Sequence, residues 1–321
     1  MLALRSADLP GLLTPAETVA LVESAALATL DRGASVVPQR QHVRWAGGTL
    51  LVMPAIGNGA LAVKLVSVVP GNAARNLPVT NGLMILADAG TGLPCAIMDA
   101  ATLTAMRTGA VGALGVKHLS PAATASVGIV GTGVQGAWQA ISACAVRPIR
   151  AVFALRRADS SFDRFRATLA VHVPGVSVIA CASAAELLAR TDVIITATTS
   201  AEPVLPDDPQ ALSGKHFIAV GSYERHMHEL PDTVLRLAGH LVLDSDAARH
   251  EVGEAVRPVE QAILSEADLL TIGELVAGRR TVDVTRTTAY KSAGMALYDL
   301  YVASALYEAA RRRGVGQAVA L

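Results

Sequence analysis

The sequence predicts an α/β protein of two domains. Its 321 residues exceed the about 250–300 residues at which a single hydrophobic core usually stops growing. From residue 125 onward, short apolar runs alternate with helical stretches, which is typical of parallel βαβ units. The preceding part contains apolar runs separated by glycine and proline turns, a pattern typical of a meandering sheet. Two different folds are therefore expected along one chain.

In the first part, two helices are predicted to flank three strands. Thr14, Pro15 and Glu17 form a helix N-cap sequence, and the apolar spacing after them predicts a helix over residues 15–32. Apolar runs predict strands over residues 49–53, 60–69 and 82–87, and a second helix is predicted over residues 101–118.

In the second part, strands and helices alternate. Strands are predicted over residues 126–130, 151–155, 176–180, 192–196, 216–220 and 240–244. Helices are predicted over residues 134–145, 160–171 and 183–189, and a final helix over residues 294–313.

The composition excludes several classes of protein. Hydrophobic residues make up 52% and charged residues 17% of the chain, so a globular rather than a disordered protein is expected. The 27 basic and 27 acidic residues cancel, which leaves no excess positive charge to attract nucleic acid. The longest uncharged run, residues 119–146, contains proline, glycine and polar residues, unlike a membrane helix.

The cysteines argue against metal binding, and the cysteines and the amino terminus together indicate the cellular compartment. Cys95, Cys144 and Cys181 are odd in number and lack C-x-x-C spacing, so neither a disulfide framework nor a zinc site is predicted. The first eight residues carry charges where a signal peptide has its apolar stretch. We expect a cytoplasmic protein with no metal, no membrane partner and no nucleic-acid partner.

A glycine-rich turn follows the strand predicted over residues 126–130. It reads Gly131-Thr132-Gly133-Val134-Gln135-Gly136, a complete G-x-G-x-x-G at a strand-to-helix junction. Gly131 permits the tight turn, Gly133 allows a pyrophosphate to approach the backbone, and Gly136 permits close helix packing. The alternative, an ordinary glycine turn, fits the α/β context less well. The motif therefore predicts a Rossmann dinucleotide-binding domain, with Thr132, Val134 and Gln135 also beside the cofactor.

Two arginines stand at the end of the next predicted strand, where a bound dinucleotide places its adenosine ribose. NAD-selective sites carry an acidic residue there, but this sequence reads Arg156-Arg157. Because a guanidinium pairs bidentately with a phosphate, Arg156 and Arg157 favour NADPH, with NADH as the alternative. A solvated arginine pair near Asp159 is the competing interpretation.

Three basic residues stand among apolar neighbours in the first part: Arg40, Lys64 and Arg107. Lys64 lies in the middle of a predicted strand whose two faces are almost equally apolar, so alternation does not decide which face is buried. Taken alone, Lys64 is more simply interpreted as lying on an exposed strand face.

Several segments together resemble the ornithine cyclodeaminase and mu-crystallin family, over about residues 10–310. The resemblance is far more specific than the glycine motif, because it combines motifs from both parts of the chain. The matching motifs are Met53-Pro54-Ala55, Lys64, Pro70-Gly71-Asn72, Asp88-x-x-Thr91-Gly92, Met98-Asp99, Arg107-Thr108-Gly109, Gly131-Thr132-Gly133, Ala219-Val220-Gly221-Ser222 and Lys291-Ser292-x-Gly294-x-Ala296-x-x-Asp299.

The resemblance implies a homodimer with two domains in each protomer. Residues 119–293 would form the Rossmann domain, and residues 1–118 with 294–321 would form a smaller α+β domain for substrate binding and dimerisation. The active site is expected between them.

The same resemblance implies roles for single residues. Arg40, Lys64 and Arg107 are expected to be catalytic and to grip the carboxylate of an amino or imino acid, which agrees with the chemistry of these side chains. The family's loops that border the cofactor correspond to residues including Thr198 and Ser222, and Lys291 corresponds to a residue at the nicotinamide end.

One departure from the family pattern bears on the reaction. Ornithine cyclodeaminases carry an aspartate where this chain has Tyr223, followed by Glu224. The loop Gly221-Ser222-Tyr223 resembles that of the family's reductase members, which implies an NAD(P)H-dependent reductase that converts Δ1-pyrroline-2-carboxylate or Δ1-piperideine-2-carboxylate to proline or pipecolate. The alternatives are an alanine dehydrogenase-type enzyme, an ornithine cyclodeaminase that recycles NAD, and a non-catalytic crystallin-like binding protein.

Overall fold

The computed structural model describes residues 1–31, 33–156 and 159–320. The chain forms two compact units, one made of Met1–Arg107 with Met295–Leu321 and the other of Thr108–Gly294. The division falls inside helix α2, Ala100–Leu119, and the boundary predicted at residues 118/119 lies at the carboxyl end of that helix.

The first unit contains a mixed sheet on which helices pack. Within the described residues, its strand order is β16-β1-β7-β6-β5-β4-β2, and β3 pairs with β4. Helix α11, Ala296–Arg313, packs on β4, β5 and β6 and against helix α1, Pro15–Ala28. The strands are β1 Leu2–Leu4, β2 Ser35–Val36, β3 Gln41–Trp45, β4 Gly48–Gly57, β5 Ala60–Val68, β6 Thr80–Asp88, β7 Pro94–Asp99 and β16 Gln317–Ala318.

Helix α1 begins where the capping sequence predicted. The Glu17 N–H donates to Thr14 Oγ1 at 3.2 Å, and the Thr14 N–H donates to Glu17 Oε2 at 2.7 Å, so both groups of the capping box are formed. The helix ends at Ala28 rather than at the predicted residue 32. The Leu30 N–H bonds to the Leu27 carbonyl, which tightens the last turn.

Strand β5 shows which face of the first sheet is buried. Ala62, Lys64 and Val66 are buried, whereas the larger Leu61 and Leu65 on the other face are only half-buried. Lys64 keeps 2% of its surface exposed. The interpretation of Lys64 as an exposed strand residue is therefore wrong, and its partners, described below, explain the burial.

The second unit is a doubly wound α/β domain. Every described strand pairing in its sheet is parallel, and the order is β10-β9-β8-β11-β12-β15-β13-β14. The strands are β8 Ser126–Val130, β9 Ala151–Leu155, β10 Ser177–Cys181, β11 Val193–Thr196, β12 His216–Ala219, β13 Leu241–Leu243, β14 Leu269–Thr271 and β15 Thr288–Lys291. The remaining helices are α3 Val134–Val146, α4 Asp159–His172, α5 Ala184–Arg190, α6 Pro209–Leu212, α7 Asp232–Ala238, α8 Ala248–Glu251, α9 Gly253–Glu260 and α10 Ile272–Val276.

The chain reverses its direction of travel across this sheet between β8 and β11. From β8 it winds to β9 and β10 on one side, and it then returns to place β11 against the other side of β8. In parallel sheets, ligands bind outside the carboxyl ends of the strands at such a switch point. The predicted Rossmann domain is confirmed, and its crevice lies where β8 and β11 end.

The described residues contain neither a membrane-spanning helix nor a cluster of metal ligands. None of the helices has the length and apolar character needed to cross a bilayer. No group of three or more His, Cys, Asp or Glu side chains in the same residues is arranged to hold a metal ion.

Candidate active site

Lys64 occupies the centre of the buried face of the first sheet. It lies directly between Met53 of β4 and Met84 of β6 in the strand register, and both methionines are buried. Apolar neighbours on both sides remove water from the ammonium group, which makes its charge costly unless a partner compensates it.

That partner is Asp299, in the first turn of α11. Lys64 Nζ donates to Asp299 Oδ2 at 2.7 Å, and Arg107 Nε donates to Asp299 Oδ1 at 2.8 Å. Helix α2 supplies Arg107 and, one turn earlier, Thr104, whose Oγ1 lies 3.4 Å from Lys64 Nζ. Each carboxylate oxygen therefore binds one cation, and Asp299 is 0% exposed.

Burial lowers the pKa of Lys64 from its usual 10.5 to about 7, although the Asp299 carboxylate acts in the opposite direction. The positive charges of Arg107 and Arg40 lower this pKa further. Burial alone would raise the pKa of Asp299, but Arg107 and Lys64 lower it below its usual value. Asp299 is thus an anion at neutral pH, and Lys64 exchanges a proton in that range.

The group of Lys64, Arg107 and Asp299 can bind a further anion. Lys64 and Arg107 share the single carboxylate of Asp299, which leaves these three groups with a net charge of +1 when Lys64 is protonated, and the positive charge of Arg40 also acts on Lys64. Arg107 Nη1 is buried and has no hydrogen-bond partner among the described residues. A buried donor without a partner is costly, so a ligand carboxylate would be stabilised here. The structure brings the three predicted cations together, and Arg40 is half-buried just before β3.

The glycine loop connects β8 to α3. Gly131 has a φ of +108°, a conformation that favours glycine, and a Cβ there would overlap the Ala197 carbonyl oxygen. A Cβ at Gly136 would overlap the Gly131 carbonyl oxygen. At Gly133 a Cβ would meet no atom within 4 Å. Gly131 and Gly136 are therefore required by the fold, whereas Gly133 faces open space.

This loop fits a dinucleotide. No side chain caps the amino end of α3 at Gly133, so the first N–H groups of the helix suit a phosphate. A cavity of about 330 Å³ adjoins the loop and is bordered by Thr132, Val134, Ser161 and Arg164. Gln135 Oε1 and Thr196 Oγ1 are buried near the switch point without a described hydrogen-bond partner.

The other residues predicted to bind the cofactor have different environments. Arg156 is exposed directly after β9, and Arg157 lies outside the described residues. The Thr198 N–H and Oγ–H both donate to Glu229 Oε1, at 2.7 and 2.8 Å. Arg156 and Thr198 both lie in the second unit.

Ser222, in the loop that follows β12, and Lys291, the last residue of β15, are fully buried. The Ser222 hydroxyl donates to Glu254 Oε2, and Lys291 Nζ donates to the Ser222 carbonyl at 2.6 Å. Lys291 Nζ also lies 3.9 Å from Glu254 Oε2. Both predicted side chains are engaged within the unit, so their contact with a cofactor stays a prediction.

The sequence reasoning did not assign roles to three buried carboxylates, Asp299, Glu229 and Glu254. Asp299 stands eight residues after Lys291 and gives no local signal of its partners on β5 and α2. The two glutamates belong to no motif that the residue pattern reveals. An acidic residue at an apolar position is the signal that each of them offers.

Tyr223, at the position that distinguishes the reaction classes, is 43% exposed. Burial, followed by the nearby charge of Glu224, raises its pKa above 10.0, so its phenol is neutral at pH 7. Glu224 Oε2 lies 3.4 Å from His226 Nδ1.

The parallel sheet, its switch point and the glycine loop define a dinucleotide-binding protein. The profile of the ornithine cyclodeaminase/mu-crystallin family matches residues 12–314. The chain therefore belongs to the ornithine cyclodeaminase/mu-crystallin family.

Individual relatives resemble the chain over nearly its whole length. A Delta(1)-pyrroline-2-carboxylate reductase of Bacillus cereus is 32% identical over 309 residues, which cover 93% of this chain and 94% of the relative. The structure of Thermococcus litoralis Delta(1)-pyrroline-2-carboxylate reductase in complex with NADH and L-proline matches with a TM-score of 0.92 and 32% identity, over 99% of this chain and 100% of that one. An archaeal alanine dehydrogenase dimer with bound NAD matches with a TM-score of 0.89 and 29% identity, over 100% and 99%.

Gly133→Val is expected to weaken dinucleotide binding at least about 100-fold, because a side chain would occupy the space in which the backbone approaches a phosphate. Since a Cβ at Gly133 meets no protein atom within 4 Å, the melting temperature should change little. Titration by nucleotide fluorescence and thermal unfolding measure the two effects.

Gly136→Val is the matched control, because its Cβ overlaps the backbone and its melting temperature should fall. A folded Gly133→Val protein with wild-type affinity would contradict a phosphate site at this loop.

Proposed function

We propose that the protein reduces a cyclic 2-imino carboxylate, Δ1-pyrroline-2-carboxylate or Δ1-piperideine-2-carboxylate, to proline or pipecolate. The buried group of Lys64, Arg107 and Asp299 carries this proposal, because its excess positive charge and its partnerless guanidinium nitrogen suit a carboxylate. The named activities of the Bacillus and Thermococcus relatives support the ring substrate.

In the proposed reaction, each residue of this group has one task. Arg107 and Arg40 bind the substrate carboxylate, and Asp299 fixes Arg107 through Nε so that Nη1 remains for the ligand. Lys64 supplies the proton that the imine nitrogen needs, since a pKa of about 7 allows transfer at neutral pH. When bound, the reduced nicotinamide supplies the hydride for the ring carbon.

We propose NADPH as the preferred cofactor. Arg156 is exposed at the end of β9, and Arg164 borders the cavity beside the glycine loop. A 2′-phosphate would gain charge-assisted hydrogen bonds from guanidinium groups in this region. The relatives with bound NADH or NAD leave NADH as the alternative.

We propose that the protein is a homodimer and cytoplasmic. Half-buried aliphatic residues align across β4 to β7 on the face opposite α11: Pro54, Val63, Ile85 and Ile97. A second copy would cover this apolar face, and the archaeal relative is described as a dimer. Light scattering that gives a monomer mass would contradict this assembly. The cysteines are free thiols, which supports a reducing compartment.

The activity toward an imino acid is expected to fall as the pH rises through about 7, because Lys64 then loses its proton. In Lys64→Arg the residue stays protonated, so the decrease in kcat/KM that the deprotonation of Lys64 causes should be absent. Lys64→Met should lose about 100-fold or more in kcat/KM and retain its affinity for NADPH. The ionisation of the substrate affects the pH profiles of the wild type and of both variants in the same way. Identical pH profiles for wild type and Lys64→Arg would therefore show that Lys64 is not the proton donor.

Arg156→Ala is expected to lower kcat/KM for NADPH about tenfold more than for NADH, since the 2′-hydroxyl of NADH offers no partner for a guanidinium charge. Arg150→Ala, an exposed arginine at the opposite end of β9, serves as control. Equal losses with both cofactors in Arg156→Ala would show that this residue does not select the phosphate.

The reaction is tested by giving the purified protein cyclic imino acids, pyruvate with ammonia, and ornithine in separate assays. We expect one NADPH consumed per cyclic imino acid and no ammonia from ornithine with NAD, because the neutral phenol of Tyr223 offers no carboxylate for the substrate's amine. Ammonia release from ornithine without net reduction of NAD would contradict the reductase function and identify Glu224 as the replacement acid. Faster turnover of pyruvate with ammonia would identify an alanine dehydrogenase.

A further inference from the structure

Glu229 joins two loops at the carboxyl edge of the parallel sheet. Its Oε1 accepts hydrogen bonds from the Thr198 N–H and hydroxyl, at 2.7 and 2.8 Å, and its Oε2 accepts one from the Gly221 N–H at 2.6 Å. Glu229 is 0% exposed. A carboxylate buried in this way is stabilised by the donors that it meets.

The two loops occupy equivalent positions. Thr196 and Ala219 pair in register as the last residues of β11 and β12, and Thr198 and Gly221 each stand two residues later. The backbones touch, since a Cβ at Gly221 would overlap the Thr198 carbonyl oxygen. Glu229 therefore fixes the separation of two chain segments that have no room to move closer.

The first of these loops also contacts the glycine motif. A Cβ at Gly131 would overlap the Ala197 carbonyl oxygen and would lie 3.1 Å from Thr198 Cγ2. The Ala197 N–H donates to the Val130 carbonyl at 2.8 Å. Residues 197–198 thus lie between Gly131 and Gly221, and a displacement of Thr198 would reach the loop that receives the phosphates.

Glu229 itself is held by a second buried carboxylate. Its backbone N–H donates to Glu254 Oε1 at 2.6 Å, and Glu254 Oε2 accepts the Ser222 hydroxyl. Ser222 directly follows Gly221, so Glu254 fixes both the segment that carries Glu229 and the loop that Glu229 binds.

We propose that Glu229 is a positioning residue for the dinucleotide: by joining Thr198 to Gly221 it holds the loop after β11 against Gly131 and so keeps the glycine loop in its phosphate-binding shape. This inference rests on the proposed function only in taking a dinucleotide as the ligand. It is independent of the substrate and of the choice between NADPH and NADH.

Glu229→Gln tests the proposal without a change of shape. Both carboxylate oxygens accept N–H donors, so the amide NH₂ of glutamine must face a donor in either orientation and one loop is released. We expect the Kd for NADPH to rise about tenfold or more, with a larger rise in KM for NADPH than in KM for the imino acid. Thr198→Val removes only the hydroxyl donor and should raise the Kd by a smaller factor, which provides a milder variant if Glu229→Gln does not fold.

Glu274→Gln is the matched control. Glu274 Oε2 accepts the Thr271 N–H and hydroxyl at 2.9 and 3.0 Å, so in this variant the same kinds of donor keep an acceptor oxygen but lose its negative charge at a helix N-terminus. This capping box lies at β14, four strands from β11 in the sheet order. We expect a lower melting temperature and an unchanged Kd for NADPH in this variant.

The outcomes separate the positioning role from the proposed function. If Glu229→Gln and Thr198→Val lower the melting temperature and keep the wild-type Kd, as Glu274→Gln should, Glu229 is merely structural and the inference is wrong. If the wild-type protein binds neither NADPH nor NADH, the proposed function is wrong and the inference fails with it. A raised Kd in both Glu229→Gln and Thr198→Val, with Glu274→Gln unchanged, supports the positioning role.

Discussion

The carboxylate of Asp299 determines how the first unit is built. It binds Lys64, 235 residues away in sequence, and Arg107, 192 residues away, so three distant elements meet at one buried anion. A buried cation without such a partner would be strongly destabilising. Because Lys64 must point toward α11, its strand neighbours Ala62 and Val66 share that buried face, and the larger Leu61 and Leu65 are directed to the other side. The ion group and the larger apolar side chains of β5 therefore lie on opposite faces of the sheet.

The second unit buries charge by a different arrangement. Glu229 is compensated mainly by backbone N–H groups and a hydroxyl at the strand ends, which carry partial charges in fixed positions. The backbone N–H donors, unlike a lysine side chain, have no rotamers to change. The glycines at positions 131 and 221 allow these backbones to touch, so the geometry beside the glycine loop is set by the main chain rather than by flexible side chains.

Local patterns in the sequence predicted the elements that they specify and missed those that depend on the surrounding fold. Strands β8 and β9 have the predicted bounds, because continuous apolar runs end at turn residues. Strand β15, Thr288–Lys291, was not predicted, since its short, mixed sequence is buried only by insertion between β12 and β13. The last helix begins at Ala296 rather than at Gly294, whose φ of +74° is incompatible with a helix.

In the candidate site, too, residues with a local sequence signal were predicted, and those whose environment depends on the tertiary fold were not. The glycine motif is local, and the structure places it at the predicted strand-to-helix junction, which is also the switch point of the sheet. The burial of Lys64 was not decidable from its strand, because both faces are apolar and its partner lies on the last helix. The resemblance to the family grouped Lys64 with Arg40 and Arg107, whereas physical reasoning from spacing alone favoured an exposed lysine. Glu229 and Glu254 offered no signal beyond an acidic residue at an apolar position, since only the tertiary fold brings their partners, backbone N–H groups and hydroxyls, near.

The net positive charge of the group of Lys64, Arg107 and Asp299 links substrate binding to the protonation of Lys64 in the proposed reaction. With no ligand, burial and two neighbouring guanidinium groups outweigh Asp299 and hold the pKa of Lys64 near 7. A substrate carboxylate that binds Arg107 adds a negative charge and reduces the repulsion between the cations, so it must raise this pKa. Binding then takes up a proton at neutral pH, and by reciprocity a protonated Lys64 binds the carboxylate more tightly. The bound substrate thereby favours protonation of Lys64, and its reduction then uses that proton. A single anion shared by two cations therefore suits this site better than a fully neutralised ion pair, because it leaves a positive charge for the substrate carboxylate.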